Sequence, residues 1–387
     1  MITRLVAAAA VSLFCSATMA AEISIGFLSL DDDPRHDAAL AYANVELRPA
    51  GNSEVGARLG LIDSAMLAEA TGNTLKFDPQ SAPDGPGLVA RAKAMSDAGI
   101  GFIILDVPGD MVQLVAEQSA GLPVTFVNAT APDNFLRSLC LPNLLHTAAS
   151  DRMEADAMVQ FLRNHNWPRI LLLVGQEPRD RVIADAFIAA AQRYRLTIVE
   201  ERPFTLAADP ENREANNVLL LTGQADYDVI YVADSIGEFS RYLPYATQLP
   251  RPVLGSTGLV ASEWSYTLER YGAPQVSSRF ENLAEGRHMA GPDWSAWMAA
   301  KAIATAYAKS RSTDPVEVGQ FLRGPKLKLD GSKGVAMNFR DWDGQLRMPL
   351  VLATTSAVIA IPPLAGFQHQ TNDLDTLGTD RPEQVCQ

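Results

Sequence analysis

Along most of the chain, stretches of strand length that are apolar throughout alternate with longer segments whose apolar positions recur at helical spacing. "ISIGFLSL" (Ile23 to Leu30) precedes "SEVGARLGLIDSAMLAEA", where Val55, Leu59, Ile62, Met66 and Leu67 fall on one helical face and predict its buried side. "GFIILDV" leads into a segment from Asp110 to Ala120, and "LPVTFVNA" follows. A second series opens near Leu144: helix "DRMEADAMVQFLRNH", strand "RILLLVG", helix "DRVIADAFIAAAQRYR", strand "LTIVEERPF", a helix near Glu211 to Thr222, strand "DVIYVADS", helix "GEFSRYLPYA" and strand "PVLGS". Strands apolar on both faces and separated by helices mean parallel sheets covered on both sides. The two series therefore predict an α/β protein with two doubly wound parallel-sheet lobes. After Tyr271 the alternation stops. "GPDWSAWMAAKAIATAYAKS" predicts one long helix, "PVEVGQFLRG" a short one, and "GVAMNFRDWDGQLRMPLVLATTSAVIAIPP" antiparallel strands turning at Asp343-Gly344. Such a coda is expected to cross back between the lobes and complete both.

The amino terminus changes where this fold is expected to work. Met1 to Ala20 carries a lone Arg4, the apolar run "LVAAAAVSLF" and a closing "TMA", the three parts of a cleaved secretory signal over residues 1–21. Cys15 follows Phe14, where lipidation wants a small residue, so an anchor is not expected. No later apolar stretch is long enough to cross a bilayer without Pro or charge. The expected product is soluble and periplasmic. A formal net charge of −13 argues against nucleic acid or anionic lipid as partner. Beyond the leader two cysteines remain, Cys140 and Cys386. They are too few for a disulfide-held mini-fold or a cysteine zinc site, and in an oxidising compartment one bridge between them is favoured over two unrelated thiols.

Ligands of open α/β sheets lie beyond the carboxyl ends of the strands. The residues found there are Asp31, Asp32 and Asp33 after the first strand, Asp106 after the third, Asn128 and Thr130 after the fourth, and in the second lobe Glu177 with Arg179, Asp234 with Ser235, and Ser256 with Thr257. Three adjacent carboxylates must stay in water or hold something cationic. The plain alternatives remain open: Asp31 to Asp33 as a solvated loop, Asp106 as a turn initiator, Trp294 and Trp297 as packing, and the five histidines as scattered residues without metal-ligand spacing. Catalytic signatures are missing from the sequence: no nucleophile elbow, HExxH, phosphate-cradling glycine loop or CxxC. An enzyme is not expected.

"VNATAPD" after the fourth strand, "LLHTAASD" where the second lobe opens, "DWSAWMAAKAIATAYA" and "MNFRDWDGQL" together resemble the type I periplasmic solute-binding proteins of the leucine/isoleucine/valine-binding class over essentially the whole mature chain. More narrowly, "CLPNLLHTAASDRMEADA", "NFRDWDGQLR" and "LDTLGTDRPEQVC" resemble the branch associated with pyrroloquinoline-quinone (PQQ)-dependent alcohol dehydrogenase systems. The resemblance implies a monomeric subunit of an ABC importer that closes two lobes on a small solute and passes it to an inner-membrane permease. The expected lobes are residues 22–145 plus 275–345 and 146–274 plus 346–387, joined by a hinge of three crossings near residues 146, 275 and 346.

Carried over position by position, the family's carboxylate-holding segment falls on Asn128 and Thr130, while its ammonium-holding acid falls on Thr257 and its serine-rich turn is replaced by "DVPGD". Both departures count against an α-amino acid as ligand. Two others suit the associated dehydrogenase chemistry. A calcium or lanthanide ion needs six or more oxygens, and Asp31, Asp32, Asp33, Asp106 and Asp234 are the candidate metal ligands. The quinone, a tricarboxylate, would call on Arg35 and Arg179. A ligand-sensing protein, or a periplasmic metal or cofactor carrier without a transport role, is the rival expectation.

Overall fold

The computed structural model describes residues 21–36, 51–205 and 216–386. The expected leader, Cys15, Asp37 and residues 206–215, where the helix expected near Glu211 begins, lie outside them. The first lobe is built from strand β1 (Ala21–Leu30), helix α1 (Glu54–Glu69), β2 (Asn73–Ala82), α2 (Gly85–Asp97), β3 (Phe102–Asp106), α3 (Gly109–Gln118), β4 (Thr125–Asn128), the single turn α4 (Phe135–Ser138) and β5 (Leu144–His146). Its sheet is parallel throughout, in the order β2-β1-β3-β4-β5. Every residue of β3 is buried, as expected of a strand covered on both faces. The edge strand β2 gave no such signal: "NTLKFDPQSA" alternates, is half solvated and carries Pro79, the pattern of a sheet edge.

The second lobe repeats the plan with α5 (Asp151–Asn164), β6 (Arg169–Val174), α6 (Pro178–Arg193), β7 (Thr197–Pro203), the one-turn α7 (Val218–Leu221), β8 (Val229–Ala233), α8 (Leu243–Ala246) and β9 (Val253–Gly255). Its parallel order is β7-β6-β8-β9. Then come β10 (Val260–Ser262), α9 (Ala273–Leu283), α10 (Gly291–Ser310), α11 (Pro315–Arg323) and the short strands β11 (Leu329–Asp330), β12 (Ala336–Met337), β13 (Val351–Ala353) and β14 (Val358–Ala360). These last strands pair antiparallel, β11 with β12 and β10-β13-β14 as a small third sheet. Asp343-Gly344 does turn the chain: the Gln345 amide donates to Asp343 Oδ1, and Arg340 N donates to the Gln345 carbonyl at 2.8 Å.

Three passages link the sheets. One follows β5, one lies between Ser262 and Ala273, and one lies between Leu346 and Val351. The first and third are stitched together, because the Leu346 amide donates to the His146 carbonyl at 2.8 Å and the His146 amide to the Gly344 carbonyl at 2.9 Å. Buried Arg137 ties the same strands by donating to Gln345 Oε1 and to the Ala148 carbonyl.

The buried face of α1 differs from the expectation. Ile62 is 55% exposed and Met66 81% exposed, whereas Gly56, Gly60 and Ser64 are buried against α10. A Cβ on Gly56 would come within 2.1 Å of the Asp293 carbonyl, and one on Gly60 within 2.5 Å of the Trp297 carbonyl. Close backbone approach selected the small residues, so that of the expected face Leu59 is buried and Val55 half-buried, while Ile62, Met66 and Leu67 point outward. α10 itself is buried along nearly its whole length; Trp294 and Trp297 are packing residues, their indole N–H groups donating to the Gly331 carbonyl and Asp63 Oδ2. Cys140 and Cys386 form a disulfide across 246 positions. The tail reaches it over α5, with the Gly378 amide donating to Asp156 Oδ2 and Gln384 Nε2 to the Arg137 carbonyl.

Candidate functional site

Beyond β1 the three aspartates part company. Asp31 and Asp32 are exposed and border an outer groove, Asp31 accepting from the Ser81 hydroxyl. Asp33 is buried and accepts from Arg35 Nε at 3.0 Å and Nη2 at 2.6 Å. The same guanidinium donates to Asp106 Oδ1 at 3.0 Å and to Thr130 Oγ1 at 3.0 Å. The cation that these carboxylates hold is therefore the chain's own Arg35. Asp106, at the end of β3 and fully buried, also accepts from the Ser53 amide at 2.7 Å, the Ser53 hydroxyl at 2.9 Å and the Thr130 hydroxyl at 2.9 Å. Burial opposes ionisation of Asp106, but His36, Arg35 and the Ser53 amide outweigh it and hold its pKa well below the usual carboxylate range. His36 Nε2 lies 3.4 Å from Asp106 Oδ1 without a hydrogen-bonding alignment.

Asp33, His36 and Asp106 bring ligand atoms within 4.8 Å of one another, the grouping a metal would need. They do not fit a hard cation as they stand. Arg35 already bridges both carboxylates, and the other expected oxygens do not converge on them. Asp31 and Asp32 face the outer groove, while Asp234 closes its own turn by accepting from the Gly237 amide at 2.9 Å and the Ser240 amide at 2.8 Å. The five aspartates expected as one metal set are thus divided: Asp33 and Asp106 are bridged by Arg35, while Asp31, Asp32 and Asp234 lie elsewhere.

In the second lobe, Arg179 stands in the first turn of α6 and makes a two-pronged pair with Asp151, one contact at 2.8 Å. Glu177 caps that helix and is exposed. Ser235 follows β8, and Ser256 accepts from the Asp234 amide. Thr257 is half-buried in the turn after β9. Asn128 is wholly buried and spends its amide on the turn that carries Thr130, donating to the Ala131 carbonyl at 2.8 Å and accepting from the Ala131 amide at 2.9 Å.

A cavity of about 380 Å³ opens between the lobes where these strand ends face one another. The first lobe supplies Arg35, His36, Ser53 and Thr130, and the second Arg179, Ile183 and Ser235. Arg287, in the loop before α10, and Pro292 and Asp293, in its first turn, close a third side. Arg287 pairs with Asp293 at 2.7 and 2.9 Å. Of the sequence candidates, then, Arg35, Thr130, Arg179 and Ser235 meet at the cavity, with Asp33 and Asp106 held directly behind Arg35. Asp31, Asp32, Asn128, Glu177, Asp234 and Thr257 do not line it. Ser53, His36, Ile183 and the Arg287–Asp293 pair are additions that lie on no predicted strand end.

A family profile described as "Receptor family ligand binding region" matches residues 103–350, and the chain belongs to that family. No curated protein matches the chain. Among solved structures, a branched-chain amino acid ABC transporter periplasmic ligand-binding protein from Burkholderia xenovorans LB400 superposes with a TM-score of 0.69 at 12% identity, covering 88% of this chain and 95% of that one. A leucine-, isoleucine-, valine-, threonine- and alanine-binding protein from Brucella ovis, in a closed conformation, gives 0.67 at 12% identity over 88% and 92%. An ABC transporter substrate-binding protein from Desulfitobacterium hafniense in complex with Leu gives 0.64 at 16% identity over 88% and 99%. The fold is that of the type I periplasmic binding proteins.

Proposed function

We propose that the protein is the periplasmic solute-binding subunit of an ABC importer, capturing a small ligand between its lobes and delivering it to a permease as a monomer. The reading is carried by one observation: a single cavity receives side chains from the carboxyl ends of both parallel sheets. A ligand touching both walls favours the closed arrangement of two lobes free to swing. The lobes are residues 22–145 plus 275–345 and 146–274 plus 346–387, and the three linking passages act as the hinge. Structural relatives described as amino-acid-binding proteins support a small organic solute. The link to PQQ-dependent alcohol oxidation rests on the sequence resemblance alone. Arg35, seated between Asp33 and Asp106, counts against calcium or a lanthanide as the ligand.

Small-angle scattering on the exported protein tests the reading against a panel of amino acids, alcohols, PQQ, calcium and lanthanum. At least one ligand is expected to reduce the radius of gyration as it raises the melting temperature. Stabilisation by a cavity ligand with no change in shape would replace the importer subunit by a static carrier.

A further inference from the structure

Every arginine at the cavity already has its counter-ion: Arg35 has Asp33 and Asp106, Arg179 has Asp151, and Arg287 has Asp293. Three guanidinium groups thus face four carboxylates, and the His36 imidazole lies 3.9 Å from Asp33 and 3.4 Å from Asp106. The carboxylate in excess is shared between buried Asp33 and Asp106 behind Arg35, so among the described residues that line the cavity none presents an unpaired full charge to a ligand. Glu154 lies outside the lining, and burial, helped by Glu263 and Asp151, pushes its pKa well above the usual carboxylate range. An anion entering here would have to draw an arginine away from its aspartate, and a cation the reverse. Either would pay for desolvation without a waiting partner.

What the wall does offer is hydroxyl lone pairs and unspent N–H groups beside carbon. Ser53 Oγ donates to Asp106, which leaves its lone pairs to accept. Thr130 Oγ1 donates to Asp106 and accepts from Arg35. Arg35 Nη1 has one N–H beyond that bond. Pro132, Ile183 and Pro292 supply the apolar remainder. The volume, about 380 Å³, is at the small end for organic ligands.

We infer that the cavity takes a small uncharged organic molecule bearing hydroxyl or carbonyl groups on an apolar frame, in preference to a zwitterion, a metal ion or a polycarboxylate. This rests on the reading of the cavity as the solute site.

Four probes of matched shape separate the charge classes: benzyl alcohol, benzoate, benzylamine and L-phenylalanine, with 1,4-butanediol as a second uncharged probe and lanthanum chloride as the metal. Calorimetry and thermal unfolding on the disulfide-intact protein are expected to show binding of an uncharged probe at least about tenfold tighter than any charged one, a difference of about 1.4 kcal/mol. Equal or tighter binding of a charged probe, or no binding of either uncharged probe, overturns the inference. The half-buried Ile183, substituted as Ile183→Asp, adds a carboxylate to the wall one helical turn from Arg179, whose guanidinium Asp151 already engages. It is expected to lose the uncharged probe about tenfold and to gain benzylamine; unchanged binding would place the probe elsewhere and also overturn the inference. The two readings fail separately. A charged probe that binds in the cavity and closes the lobes removes the charge preference and leaves the importer subunit. An uncharged probe that binds there without closing them does the opposite.

Discussion

At the level of single residues, the run "LDDDPRH" divides by burial. Two aspartates remain in water, and the third joins Asp106 around Arg35 because a buried carboxylate persists only with a cation or several hydrogen bonds. Asp106 has both, which makes it the most exacting position in the site. Its folded pKa lies below the value of about 3.9 expected for an unfolded chain, so its contribution is complete above roughly pH 4 and is lost as the pH falls below that. Asp106→Asn leaves Arg35 with Asp33 alone and the Ser53 amide with a weaker acceptor. It is expected to cost about 3–5 kcal/mol at pH 7, with a smaller difference from wild type at pH 3. Urea unfolding at the two pH values measures this, and an equal loss at both would assign the effect to packing. The strand-end rule found Asp106, Thr130, Arg179 and Ser235 because a parallel sheet fixes where its carboxyl ends point. It missed Ser53 and Asp293, at helix beginnings, and Arg287, in the loop before α10, whose placement depends on how α1 and α10 dock.

That docking also decides which helix faces are buried. Strands such as β3 and β8 were legible because burial on both faces leaves an unbroken apolar run. β2 was not, since an edge strand shares its polarity pattern with a loop. The expected buried side of α1 holds at Leu59 but not at Ile62, Met66 and Leu67, for a different reason: apolar spacing ranks faces by side-chain size, and a helix pressed backbone to backbone against its neighbour is ranked by the lack of it. Gly56→Ala is expected to destabilise the protein by about 1–3 kcal/mol, despite the better helix propensity of alanine, because its methyl group meets the Asp293 carbonyl. By shifting Asp293 it should also disturb Arg287 and weaken ligand affinity. Met66→Ala, on the face that the spacing favoured, is expected to change stability by less than about 0.5 kcal/mol. Thermal unfolding of the pair distinguishes the two faces, and the reverse ranking would return α1 to the pattern read from spacing.

For the whole molecule, the paired cysteines were legible from compartment and count, whereas the path of the tail was not, because it depends on particular polar contacts. Buried Arg340 donates to Asp375 Oδ1 and to the Leu374 and Leu377 carbonyls, Asp156 takes the Gly378 amide, and the chain then runs to Cys140 beside the first linking passage. Cys140 follows α4 in the first lobe, while the tail contacts α5 in the second, so the bridge fastens one lobe to a strap laid over the other. It closes a loop across 246 positions, for which restriction of the unfolded chain is worth about 5 kcal/mol at most. Two consequences can be separated. If the bridge acts through the unfolded chain alone, reduction lowers the melting temperature and leaves ligand affinity unchanged. If the strap also restrains the lobes, the reduced protein should open further and bind more weakly, since more ordering accompanies closure. The contacts of Arg340 and Asp156 do not involve the bridge and are expected to hold the strap against the second lobe without it. Cys140→Ser with Cys386→Ser is therefore expected to lower the melting temperature clearly while leaving the scattering profile of the empty protein nearly unchanged. A marked rise in its radius of gyration would show that the disulfide sets the resting angle between the lobes.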